Sequence, residues 1–131
     1  MPVLPDVDAV LLALLRAELP ALVFGTQQPA DVLARLPYVV VRKVGGTNID
    51  ERFAHRSVVN VDAYAADRPT AAALAETVRG GILACWRPGR MTTDGHRICS
   101  FRTVSSAVEI RDGDQPDWFA RFNAIYAVTV R

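Results

Sequence analysis

Apolar residues first fall into a three-and-four spacing at Val7, Val10, Leu11, Leu14, Leu15 and Leu19, one face of a helix that Pro20 stops. Asp6 is well placed to cap it, and Asp8 and Arg16 mark its polar side. So continuous a stripe must lie on something, and strands follow. Ala21 to Phe24 is a short apolar run closed by Gly25, and Thr26 to Leu36 reads as a loop with room for one helical turn. Pro37 can open the next strand. Tyr38 to Val44 is rich in β-branched residues and apolar on both faces at first, which predicts a central strand, with Arg42 and Lys43 leading it out to water.

Val44 to Arg56 then carries Gly45-Gly46, Thr47-Asn48 and the charged group Asp50-Glu51-Arg52. It reads as a long connection where a hairpin loop usually takes about two to five residues. From Ser57 the period becomes two: Val59, Val61 and Ala63 point to a core, while Asn60, Asp62 and Tyr64 point to a face that is wet or shared. Asp67 can cap a second helix with Pro69 in its first turn, whose small-residue face is Ala71, Leu74, Ala75, Val78, Ile82 and Cys85. Gly80-Gly81 either breaks that helix or admits a close neighbour, and we expect it to persist to Leu83.

Arg87 to Gly95 is turn chemistry, and Arg97 to Ile110 predicts a strand bent at Ser105-Ser106. An acidic loop follows at Asp112, Asp114 and Asp117. Phe122, Ala124, Tyr126, Val128 and Val130 then alternate with polar residues in a last strand. The order of elements, without alternating βαβ units, predicts an α+β domain with two helices packed on one face of a mixed or antiparallel sheet. At 131 residues, half of them hydrophobic, residues 1–131 suit a single domain able to bury a core without metals or disulfides.

Composition narrows the function. A formal net charge of +1 gives no bulk footprint of a nucleic-acid binder. The apolar run Ala9 to Leu15 is too short to span a membrane and follows acidic residues, so neither an anchor nor a signal peptide is expected. Cys85 and Cys99 are expected to stay reduced.

Candidate chemistry is sparse. His55, Cys85, His96 and Cys99 lack zinc-ligand spacing, and His96 and Cys99 lie three apart on what reads as a strand, so they face opposite sides. That leaves His55 as a loop-end residue, His96 as a turn residue and no metal or cofactor expected. Asp50-Glu51 and the acidic loop read as solvated carboxylates; a small metal-dependent hydrolase built on these groups is the distant alternative. No nucleophile elbow, zincin, phosphate-loop or dinucleotide motif occurs. Trp118-Phe119 and Trp86 are each open to two readings, as caps on the protein's own core or as anchors for a partner.

Several segments together resemble the tail terminator (tail completion) proteins of long-tailed bacteriophages. They are the amphipathic first helix, Pro37-Tyr38-Val39-Val40-Val41, Val59-Asn60-Val61-Asp62-Ala63-Tyr64-Ala65, the Ala71 to Leu83 helix and the final strand from Phe119 to Arg131. Cys85 to Ser100 contributes nothing to the likeness. The resemblance implies a structural virion protein, not an enzyme, made in the bacterial cytoplasm and placed at the tail–neck junction. It would form a homo-oligomeric ring, commonly a hexamer, that caps the tail tube, ends its polymerisation and meets a head-completion or connector protein, with DNA passing through the lumen without sequence-specific binding. A head-completion, stopper or tube-like neck protein is the nearer alternative. In such a ring Val44, Gly45, Gly46, Thr47, Asn48, Ile49, Asp50, Glu51, Arg52 and Phe53, with Trp118, are the expected subunit or partner contacts.

Overall fold

The computed structural model describes residues 6–50, 54–111 and 119–131. Helix α1 spans Val7–Glu18 and starts where the sequence expects, with the Asp6 carboxylate accepting from the Asp8 backbone N–H at 3.0 Å. Strand β1 is only Phe24–Gly25, and a single 3-10 turn, Val32–Ala34, interrupts the loop that follows. The long elements come next: β2 Tyr38–Asp50, β3 Ala54–Ala65, helix α2 Arg68–Trp86, β4 Ile98–Ile110 and β5 Ala120–Val130.

The five strands form one mixed sheet in the order β1-β2-β3-β5-β4. Strand β1 runs parallel to β2, and every other pairing is antiparallel. Helix α2 carries the chain across from β3 to β4, and β5 later fills the gap between them. This is the α+β arrangement expected, with both helices on one face.

The core lies between that face and the helices. Val7, Leu11 and Leu15 of α1 and Ala71, Val78 and Ile82 of α2 meet Val39, Val41, Val59, Val61, Tyr126, Val128 and Val130. All the small-residue positions picked out on α2 are buried. Gly81 explains why: a Cβ there would come 2.7 Å from Leu19 Cδ1, so the glycine is where α1 and α2 touch. Helix α2 therefore runs through Gly80-Gly81 to Trp86, and its start is held by Asp67, whose carboxylate accepts from the Thr70 N–H at 2.8 Å. Trp86 turns back on the core, with its indole N–H donating to the Cys99 carbonyl at 3.1 Å and its ring 6.1 Å from that of Phe101.

One segment departs from its sequence reading. The stretch from Val44 is not a loop, because β2 continues to Asp50 and pairs with β3 from Ala54, which also places His55 in a strand instead of at a loop end. The low strand propensity of Gly45-Gly46 is overridden by the ladder: β3 is itself held by β5 as far as His55, and it offers β2 a template along its whole length. Register shifts at Lys43/Gly45 and Asn48/Asp50 absorb the mismatch. Gly46, at φ +145°, sits against the Arg56 carbonyl and Ser57, where a side chain has no room.

The bend expected in β4 is present as register shifts between Thr103 and Ser105 and between Ser105 and Val108. Cys85 and Cys99 are both free thiols, and burial pushes the Cys85 thiol above its ordinary range.

Candidate interaction surfaces

Two surfaces are left once the core is accounted for: the edges of the sheet and the face that carries no helix. At the edges, β1 covers β2 only at Val39 and Val40. Just beyond, the Lys43 backbone N–H donates to the Asp8 carboxylate of α1 at 2.7 Å, which occupies one ladder donor. On the opposite side β4 pairs, among the described residues, with β5 alone, and Val104 and Val108 on it are 53% and 50% exposed. The hairpin of β2 and β3 runs level with the end of β5, which pairs with β3 as far as His55. Of the contacts expected from sequence, Val44 is exposed at the first bulge, and Gly45 and Gly46 lie in the paired part of β2. The backbones of Thr47, Asn48, Ile49 and Asp50 continue that strand. Glu51, Arg52, Phe53 and Trp118 lie outside the described residues, as does the acidic loop. Phe119, next to Trp118, caps the protein itself: its ring stacks on Tyr64 with centroids 6.3 Å apart.

The helix-free face has two halves. In one, the loop before β2 folds over the sheet, so that Val32, Tyr38, Val40 and Tyr64 form a second small cluster with Leu36 and Phe119 packed against it. The Tyr64 hydroxyl donates to Gln28 Oε1 at 3.1 Å. Beside this cluster Asp62 is only 5% exposed, yet its carboxylate is fully engaged. It accepts from Arg121 Nε at 3.0 Å, Asn123 Nδ2 at 2.8 Å and Asn60 Nδ2 at 3.1 Å, and Asn123 Nδ2 also donates to Asn60 Oδ1 at 2.6 Å. A buried charge is tolerated when it is paired and hydrogen-bonded in this way.

The period-two pattern of β3 had assigned Asn60, Asp62 and Tyr64 to a wet or shared face, and it is shared. The partners were missed because they come from β5, whose cross-strand register brings Asn123 opposite Asp62 and Arg121 opposite Tyr64. The other half of the face is open and holds Arg56, Ser100 and Arg102 at the surface, around the nearly buried Ala127 and Thr129, while Arg42 borders the recess beside Asp62.

No group of histidine, cysteine and carboxylate side chains among the described residues is arranged to hold a metal ion. His96 stays in a turn, its N–H donating to Thr92 Oγ1 at 3.1 Å, and Cys99 lies in β4. No helix among the described residues is long and apolar enough to cross a membrane.

The sequence profile of a family described as phage tail termination protein matches residues 3–122. The chain belongs to the phage tail termination protein family. It is accordingly a structural component of the phage tail, and so of the virion. Among solved structures, a chain from the "Virion of native gene transfer agent (GTA) particle" shares the fold: the TM-score is 0.61, identity is 16%, and the match covers 94% of this chain and 92% of that one. No curated protein matches the chain.

Proposed function

We propose that this tail protein forms a ring, a hexamer of copies of itself, on the end of the tail tube, where it stops tube polymerisation and gives the head-completion or connector protein its joining surface. The family match over residues 3–122 carries this reading. Physical support comes from the sheet. A ring is a heterologous contact whose rotation closes, so each copy needs two different surfaces. The outer edge of β4, unpaired among the described residues, and the β2–β3 hairpin lie on opposite sides of the sheet order and supply such a pair. In this reading the hairpin from Val44 to Phe53 reaches the neighbouring copy, together with Trp118, and double-stranded DNA passes through the lumen without sequence-specific readout. The protein acts by geometry and performs no catalysis.

Electron microscopy of particles produced without this chain tests the role. Tails of uncontrolled length, unjoined to filled heads, are the expected outcome. Tails of normal length joined to heads would refute it. Replacing Thr47 to Arg52 by a tight turn is expected to abolish ring formation on tube ends while leaving the monomer folded, as read by light scattering and circular dichroism.

A further inference from the structure

We infer that the open half of the helix-free sheet face binds the phosphate backbone of double-stranded nucleic acid. Arg56 on β3 and Arg102 on β4 flank a hollow of about 210 Å³ floored by Ala127 and Thr129 of β5 and rimmed by Ser100. Among the described residues, neither arginine, nor Arg42 further along the same face, is paired with a carboxylate. The carboxylate that this face presents among the described side chains, Asp62, is already engaged by Arg121, Asn60 and Asn123. The near-neutral total charge therefore conceals a cationic surface.

A second, independent observation marks the hollow. Thr129 is 6% exposed, and its hydroxyl has no hydrogen-bond partner among the described residues. A buried hydroxyl without a partner is unfavourable; this one, like that of Ser57 on the core side, is closed to solvent, and an anionic oxygen drawn between the two guanidinium groups satisfies it once the side chains around it part to admit that oxygen.

Spacing favours a polymer over a single anion. Arg56 stands opposite Thr129 and Arg102 opposite Ala127, and Arg42 stands opposite Asn60. Strand geometry thus sets the three Cα atoms roughly 12–14 Å from one another along the sequence of neighbours. A repeating row of phosphates meets cations so distributed, and the readout is of backbone charge alone. An acidic protein segment is less suited, because the large apolar residue that lines the hollow, Phe101, packs on the core with its ring 4.9 Å from that of Tyr126, and Val23, Val44, Met91, Val104 and Val108, which are exposed, lie elsewhere.

The source of the duplex rests on the proposed position at the tube end; the binding itself does not, so its failure would leave that position standing. Fluorescence anisotropy with two labelled duplexes of unrelated sequence, titrated with salt, tests the inference. The wild type is expected to bind both equally. The R56Q/R102Q variant should bind roughly tenfold more weakly and lose about two units of the slope of log affinity against log salt. Thr129→Val should weaken binding with no loss of thermal stability, a combination that a merely structural threonine would not give. Arg79→Gln, on α2, should change nothing. Wild-type protein that fails to retain either duplex, R56Q/R102Q binding as tightly as wild type, or a peptide of residues 111–118 binding the hollow in place of duplex would overturn it.

Discussion

The two faces of the sheet are made from the same strands but obey different physics. On the helix-covered face, β5 presents Phe122, Ala124, Tyr126, Val128 and Val130, and on the other it presents Arg121, Asn123, Ile125, Ala127 and Thr129. The first face is sealed by α1 and α2, where stability comes from apolar area removed from water. The second is half covered by a loop and held by hydrogen bonds around one buried carboxylate, and its other half is left to solvent. One face makes the fold; the other is available for contact.

The largest effect should come from hollowing out the sealed face. Leu11 is fully buried between helix and sheet, so Leu11→Ala is expected to cost about 3 kcal/mol, a fall in Tm of about 10 °C. A change under ~1 kcal/mol in denaturant melts would mean that α1 is not packed as described.

On the second face the expected cost is smaller and depends on the partner. Arg121→Met leaves the Asp62 carboxylate buried without its cation, which should cost about 2 kcal/mol. Adding Asp62→Leu should recover most of that loss. Additive losses in the double-mutant cycle would show that the pair is not coupled.

The smallest effect concerns the cap on α2. The hydrogen bond from the Thr70 backbone N–H holds the Asp67 carboxyl below its ordinary value. Its folded pKa is thus depressed, so its contribution is present above the unfolded carboxylate pKa and fades as pH falls through the folded value. Thermal melts of Asp67→Asn and wild type should therefore converge between about pH 5 and pH 2. A gap that stays constant over that range would assign the cap's effect to something other than the carboxylate.

How far each face was legible follows from the same contrast. The sealed face obeys a period, 3.6 on the helices and two on the strands, so Val7 through Leu15, Ala71 through Cys85 and the alternating residues of β5 could be picked out from spacing alone. The far half of β2 could not, since Gly45-Gly46 reads as a turn and only pairing with β3 keeps it extended. The polar cluster at Asp62 and the hollow at Thr129 arise from register between strands distant in the chain, which no local pattern encodes. Of the Gly80-Gly81 pair, whose purpose the sequence left open, Gly81 is explained by Leu19 at the end of α1.

In the proposed role the chain caps the tail tube, and the most direct measurement adds it to polymerising tail-tube protein and follows tube length by electron microscopy. The account expects growth to stop when the chain is present in small molar ratio to tube protein, with added density on one end of each tube. Tubes that grow to the same lengths with and without it, their ends bare, would contradict it.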